Sequence, residues 1–197
     1  MVGKSLLFAG TILLMFGLGG CALKPQTSIS LEPYTPSGAL LQKSGRVVLD
    51  GVVDARKNER VVGSIIKGNK TETVIYNDQP LDKWLADALK KSLEAEGCEV
   101  VSDFAGKDKR VAKIRVEIDY LNATLDKSKL TGENLTAEAR ATLFIEQGNS
   151  KVTKRVSMLQ SKWVPPFAGE EAVREYLQET LAALVDEIRE NIDMYRF

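Results

Sequence analysis

One cysteine, a handful of carboxylates, a pair of glycines and a pair of aromatics are the residues here whose types and spacing invite chemistry. Cys21 directly follows Leu18-Gly19-Gly20 at the end of an apolar run, so the preceding segment reads as an export signal with two small residues before a cut. Asp50, Asp54, Glu117 and Asp119 are candidates for paired carboxylate work, which in glycoside hydrolysis needs two carboxyls about 5 to 9 Å apart in a cleft. Asp54 with Arg56 forms either a polar recognition rim or a plain ion pair at a strand end. Gly63 and Gly68 have the spacing of a phosphate loop. Asn69, however, stands where that loop needs lysine, and Lys70 where it needs Ser or Thr for magnesium, so no nucleotide is expected. Trp163 and Phe167 flank Val164-Pro165-Pro166, an extended segment with an aromatic at each end and a candidate interaction surface. The chain has no histidine, which excludes histidine triads and HExxH zinc sites, and no metal or cofactor is expected.

Residues 1–20 contain Lys4, an apolar stretch from Leu6 to Leu18, and Gly19-Gly20. A membrane-crossing helix needs about 20 apolar residues, and this run is shorter, so a cleaved signal peptide is the better reading. With Cys21 it resembles the lipobox of bacterial lipoprotein precursors. That resemblance implies a diacylglycerol on the Cys21 thiol, cleavage between Gly20 and Cys21, and acylation of the new amino terminus. Each buried methylene contributes about 0.8 kcal/mol, so two or three chains hold a protein essentially permanently. Ala22 stands where inner-membrane lipoproteins typically carry Asp, which implies the outer membrane, with the domain in the periplasm.

Lys and Arg number 27 against 27 Asp and Glu, a formal net charge of zero, so there is no broad basic field to recruit nucleic acid. Three units are expected: the signal at 1–20, a lipidated amino terminus and flexible tether at 21–44, and a single α+β domain at 45–197. The tether reading rests on Pro25, Pro33 and Pro36 among polar residues with little apolar periodicity. As a coil it would span about 25 to 30 Å, and at full extension roughly 80 Å. Cys98, beside Val100 and Val101, reads as a buried structural thiol, with an intermolecular disulfide as the alternative.

The elements follow from periodicity. Arg46–Val53 is valine-rich and reads as a strand; Val61–Ile66 and Thr71–Tyr76 form a hairpin through Gly68-Asn69. Leu81, Trp84, Leu85, Ala88, Leu89 and Leu93 recur at helical spacing between Pro80 and Gly97, which places Trp84 in the core. Ala112 to Tyr120 alternate apolar and charged, Leu135 to Glu146 repeat the pattern, and Gly148-Asn149 turns the chain into Lys151–Trp163. A second long helix follows, with Val173, Leu177, Leu181, Leu184, Ile188 and Ile192 along one side and an acidic outer face. This order predicts an α+β fold, a largely antiparallel sheet with two amphipathic helices on one face and a polar opposite face left available.

The stretches VVLDGVVDARKNERVVGSI, LDKWLADALKKSLEAEGCEV and IRVEIDYLNATLDKSKLTGENLTAEARATLFI, joined to the lipobox, resemble the YajG family of bacterial lipoproteins. The order of elements is more loosely similar to the amino-terminal domain of TolB and to LpoB-like lipoproteins. The YajG resemblance implies location and fold, and brings no catalytic residues. The expectation is therefore a noncatalytic binding or assembly module with a membrane lipid and an envelope protein as partners. An accessory subunit of a transport or peptidoglycan-synthesis complex is the alternative, and a carboxylate-based wall hydrolase a remote one.

Overall fold

The computed structural model describes residues 25–36, 45–101, 111–128 and 132–195, so Gly20 and Cys21 lie outside the described residues. Along the chain come β1 (Gln26–Ile29), β2 (Gly45–Asp54), β3 (Val61–Lys67), β4 (Lys70–Asn77), α1 (Leu81–Ala95), β5 (Cys98–Val101), β6 (Ala112–Asp126), β7 (Glu133–Gln147), β8 (Ser150–Val164) and α2 (Glu170–Asp193). All eight strands join one sheet.

β6 is its axis. Ile114, Val116 and Ile118 are buried while Lys113 and Arg115 are exposed, the alternation of a strand with one covered face. A bulge between Ile118 and Tyr120 shifts the phase, after which Leu121, Ala123 and Leu125 continue the buried side. One edge of β6 pairs antiparallel with β7 along its whole length. The other edge is shared by two strands end to end: β2 lies parallel against Ala112–Ile118 and β3 parallel against Ala123–Asp126. β2 and β3 thus behave as one long strand interrupted by the excursion 55–60.

This arrangement corrects the expectation of a largely antiparallel sheet. Four of the seven pairings are parallel (β1–β4, β2–β5, β2–β6, β3–β6) and three antiparallel (β3–β4, β6–β7, β7–β8), so the sheet is mixed and mostly parallel. Sequence neighbours joined by tight turns declare antiparallel pairing locally; the parallel pairs come from long connections that no turn signal announces.

Both helices cover one face. α1 buries Leu81, Trp84, Leu85, Ala88, Leu89 and Leu93 against the sheet, and α2 buries Val173, Leu177, Leu181, Leu184, Val185, Ile188 and Ile192. Cys98 is buried at the start of β5. The two expected hairpin turns are present, with Gly68 and Gly148 at φ +60° and +58°.

The flexible tether expected over 21–44 is corrected for residues 25–36. β1 adds parallel to β4, and Ile29, Leu31 and Tyr34 are buried in the common core. Side chains of both helices fasten this segment: Trp84 Nε1 donates to the Glu32 carbonyl at 2.8 Å, Gln178 Nε2 to the same carbonyl at 3.1 Å, and the Tyr34 hydroxyl to Asp186 Oδ1 at 2.9 Å. Three buried side chains outweigh the prolines, which suit the extended backbone the segment adopts.

Candidate functional site

Asp54 and Arg56 do not form an exposed rim. Arg56 Nε and Nη2 reach the Asp54 carboxylate at 2.8 and 2.6 Å, and the two side chains are only 6% and 8% exposed. Arg56 Nη1 donates to the Val61 carbonyl at 2.9 Å and Nη2 also to the Glu59 carbonyl. Ala55 N bonds the Ile118 carbonyl at 3.1 Å, at the β6 bulge. The pair is therefore a clamp that gathers the excursion 55–60 where β2 hands over to β3. A planar guanidinium with five donors suits that task as no other side chain does.

The other carboxylates are each engaged separately. Asp50 pairs with Lys113 at 2.9 Å, Glu117 with Arg115, and Asp119 accepts from the Thr142 hydroxyl at 2.6 Å. Beside the clamp lies a surface depression of about 520 Å³ lined in part by Glu59, Arg60, Asp78, Gln79 and Lys83. Its walls carry both signs of charge. Among the described residues no group of three or more His, Cys, Asp or Glu could hold a metal ion.

Gly63 and Gly68 are accounted for by backbone geometry. A Cβ on Gly63 would lie 2.6 Å from the Ala123 carbonyl oxygen, so β3 can approach β6 only as glycine, and Gly68 supplies the hairpin turn.

The free sheet face is broad and mostly polar, with Leu159 on β8 an exposed apolar exception. Register places Gln26, Val74, Ser64, Thr124, Thr136 and Ser161 in one row across six adjacent strands. Ser161 Oγ donates to Asn134 Oδ1 at 2.9 Å and lies 3.3 Å from Thr136 Oγ1. Farther along, the Arg140 guanidinium stacks 4.4 Å over the Tyr120 ring.

Trp163 and Phe167 are the expected site residues that do reach the surface. Trp163, on β8, is 60% exposed, and Phe167, just past it, is 95% exposed. Phe167 has φ +72°, an outlier for a bulky residue. Its N–H donates to Glu133 Oε1 at 3.0 Å, and Glu133 is itself buried. Nothing in the motifs or their spacing singles out Glu133. The available signal was parity: Glu133 shares the core-facing phase of Leu135 and Ala137, where a lone acid needs a reason.

An α+β domain with one helix-covered sheet face, an open polar face and an aromatic corner is a class of protein defined by surfaces. The chain belongs to a family described as uncharacterized lipoprotein, whose model matches residues 36–197. The family's description implies a lipid anchor, although the matched residues begin after Cys21. No curated protein matches the sequence. Among solved structures, the chain is similar to an uncharacterized protein, with a TM-score of 0.51, 13% identity and coverage of 86% of this chain and 99% of that one. Protein XCC0632 from Xanthomonas campestris is similar too, with a TM-score of 0.51, 15% identity, and 83% and 92% covered. At such identities the likeness shows the fold alone.

Proposed function

We propose that this chain is a YajG-like, noncatalytic binding or assembly module, lipidated on Cys21 after cleavage behind Gly20 and held at the periplasmic face of the outer membrane. The observation that carries the reading is the open sheet face, with its row of uncharged polar side chains across four of the strands: Ser64, Thr124, Thr136 and Ser161. A flat surface rich in hydroxyls and amides offers many hydrogen bonds to a partner and excludes little water, which suits recognition better than catalysis. The carboxylates lend no support to wall hydrolysis, since each is committed to a neighbour of its own.

The test is crosslinking in intact cells from photoreactive residues placed at Thr136 and Ser161, with the native lipid anchor retained. One dominant envelope protein captured from both positions is expected. Loss of membrane attachment and of labelled fatty acid in Cys21→Ser is expected alongside it. A wild-type chain that carries no lipid, or an open face that captures no envelope component, would sink the proposal.

A further inference from the structure

We infer that one end of the sheet rests on the bilayer holding the lipid anchor, with Trp163 and Phe167 seated in its interface; this rests on Cys21 carrying the lipid. The direction of β1 sets the geometry. Gln26 lies opposite Val74 in a parallel pair, so the chain leading back to Cys21 leaves toward the start of β4. That end also contains the β3–β4 turn, the end of β6, the start of β7 and the end of β8. From Gln26 back to Cys21 the backbone reaches at most about 18 Å, whatever its conformation. Lys70 to Thr73 carry β4 about 14 Å past the level of Gln26 in the same direction. The leash is just long enough to bring the lipid to the level of the tip, so the tip lies close to the membrane surface.

The chemistry of that end fits the place. Trp163 and Phe167 present exposed rings there, and Lys67, Lys70 and Lys127 lie at the same tip, where ammonium groups meet headgroup phosphates. Of the tip acids, Asp126 and Glu133 are tied by hydrogen bonds from Ser128 and Phe167 N but keep their charge, Glu171 is neutralised by Arg174, and Glu72 and Glu170 complete the set, so the tip carries both signs of charge. Phe167 is the most telling residue. It occupies a backbone region unfavourable to a large side chain, a buried carboxylate holds it there, and its ring is turned outward. Folding gains nothing from that ring; a bilayer interface does.

The experiment uses the full lipidated protein in vesicles of phosphatidylethanolamine and phosphatidylglycerol, some containing lipids brominated near the head of the acyl chain. The chain has two tryptophans, and Trp84 is buried in the core, so emission lost on Trp163→Phe belongs to Trp163. Most of the Trp163 emission is expected to be quenched by the brominated lipid. Phe167→Gly, which suits the local backbone, is expected to reduce the quenching while leaving lipidation and Trp84 emission unchanged. Lipidated, vesicle-bound protein with unquenched Trp163 would overturn the inference and leave the anchor intact. Protein that carries no lipid and fails to sediment with vesicles would overturn the anchor itself. In cells, a photoreactive group at Phe167 is expected to yield lipid adducts; protein adducts alone would overturn the membrane assignment.

Discussion

At the scale of single residues, Asp54 and Arg56 stand out in the sequence, but their surroundings do not. Two oppositely charged residues two positions apart at a strand end look solvated, because nothing local says that the 55–60 excursion will close around them. In the structure both are buried and the guanidinium also satisfies the Glu59 and Val61 carbonyls. Removing one partner of a buried pair leaves an uncompensated charge, which typically costs about 3–5 kcal/mol. Arg56→Ala is thus expected to destabilise the domain by about that amount in urea unfolding, because Asp54 and two carbonyls lose their donor together. A loss below about 1 kcal/mol would mean that the pair behaves as an exposed one. Phe167 is the opposite case. Its exposure was readable from the flanking prolines, whereas its left-handed backbone was not, since that depends on Glu133, 34 positions away.

At the scale of elements, what was legible was what repeats locally. Both helices, the two hairpin turns and the long alternating strands follow from periods of 3.6 and 2. Parallel pairing, the end-to-end sharing of one β6 edge, and the capture of β1 were not legible, because each is decided by contacts distant in sequence. The 25–36 segment shows this best: its prolines read as linker, yet Tyr34 bonds Asp186, 152 positions on. Burial raises the Tyr34 pKa above its ordinary 10.0, with the Asp186 contact acting the same way and Ser92 opposing. The folded state therefore favours the protonated phenol. Its contribution is fully present below pH 10 and is lost as the pH rises through the folded value. Tyr34→Phe is expected to cost about 1 kcal/mol at neutral pH and to flatten the alkaline fall in stability, as measured by urea midpoints on either side of pH 10. Part of the fall should persist, since burial also raises the pKa of Tyr176. An unchanged alkaline slope in the variant would show that the strap detaches before the phenol ionises.

At the scale of the whole molecule, the captured β1 changes what the anchor does. A disordered run to residue 44 would let the domain stand roughly 80 Å from the bilayer and face in any direction. With β1 beginning at Gln26, a lipid on Cys21 would leave about 18 Å of slack and would select one end of the sheet. If Cys21 carries the proposed lipid, the anchor would supply orientation as well as retention. Such a leash would hold the tip at a high effective concentration over the membrane, so that weak contacts from two aromatic rings would suffice. This has a measurable consequence. Inserting about twenty Gly and Ser residues after Leu23 lengthens the leash about fivefold, and effective concentration falls as roughly the three-halves power of length. The ratio of docked to undocked domain is expected to drop about tenfold, read as recovery of Trp163 emission in brominated vesicles, with lipidation and unfolding midpoint unchanged. Quenching as strong as that of the native chain would show that the tip finds the membrane without help from the leash. Its orientation would then be set by the surface of the fold alone.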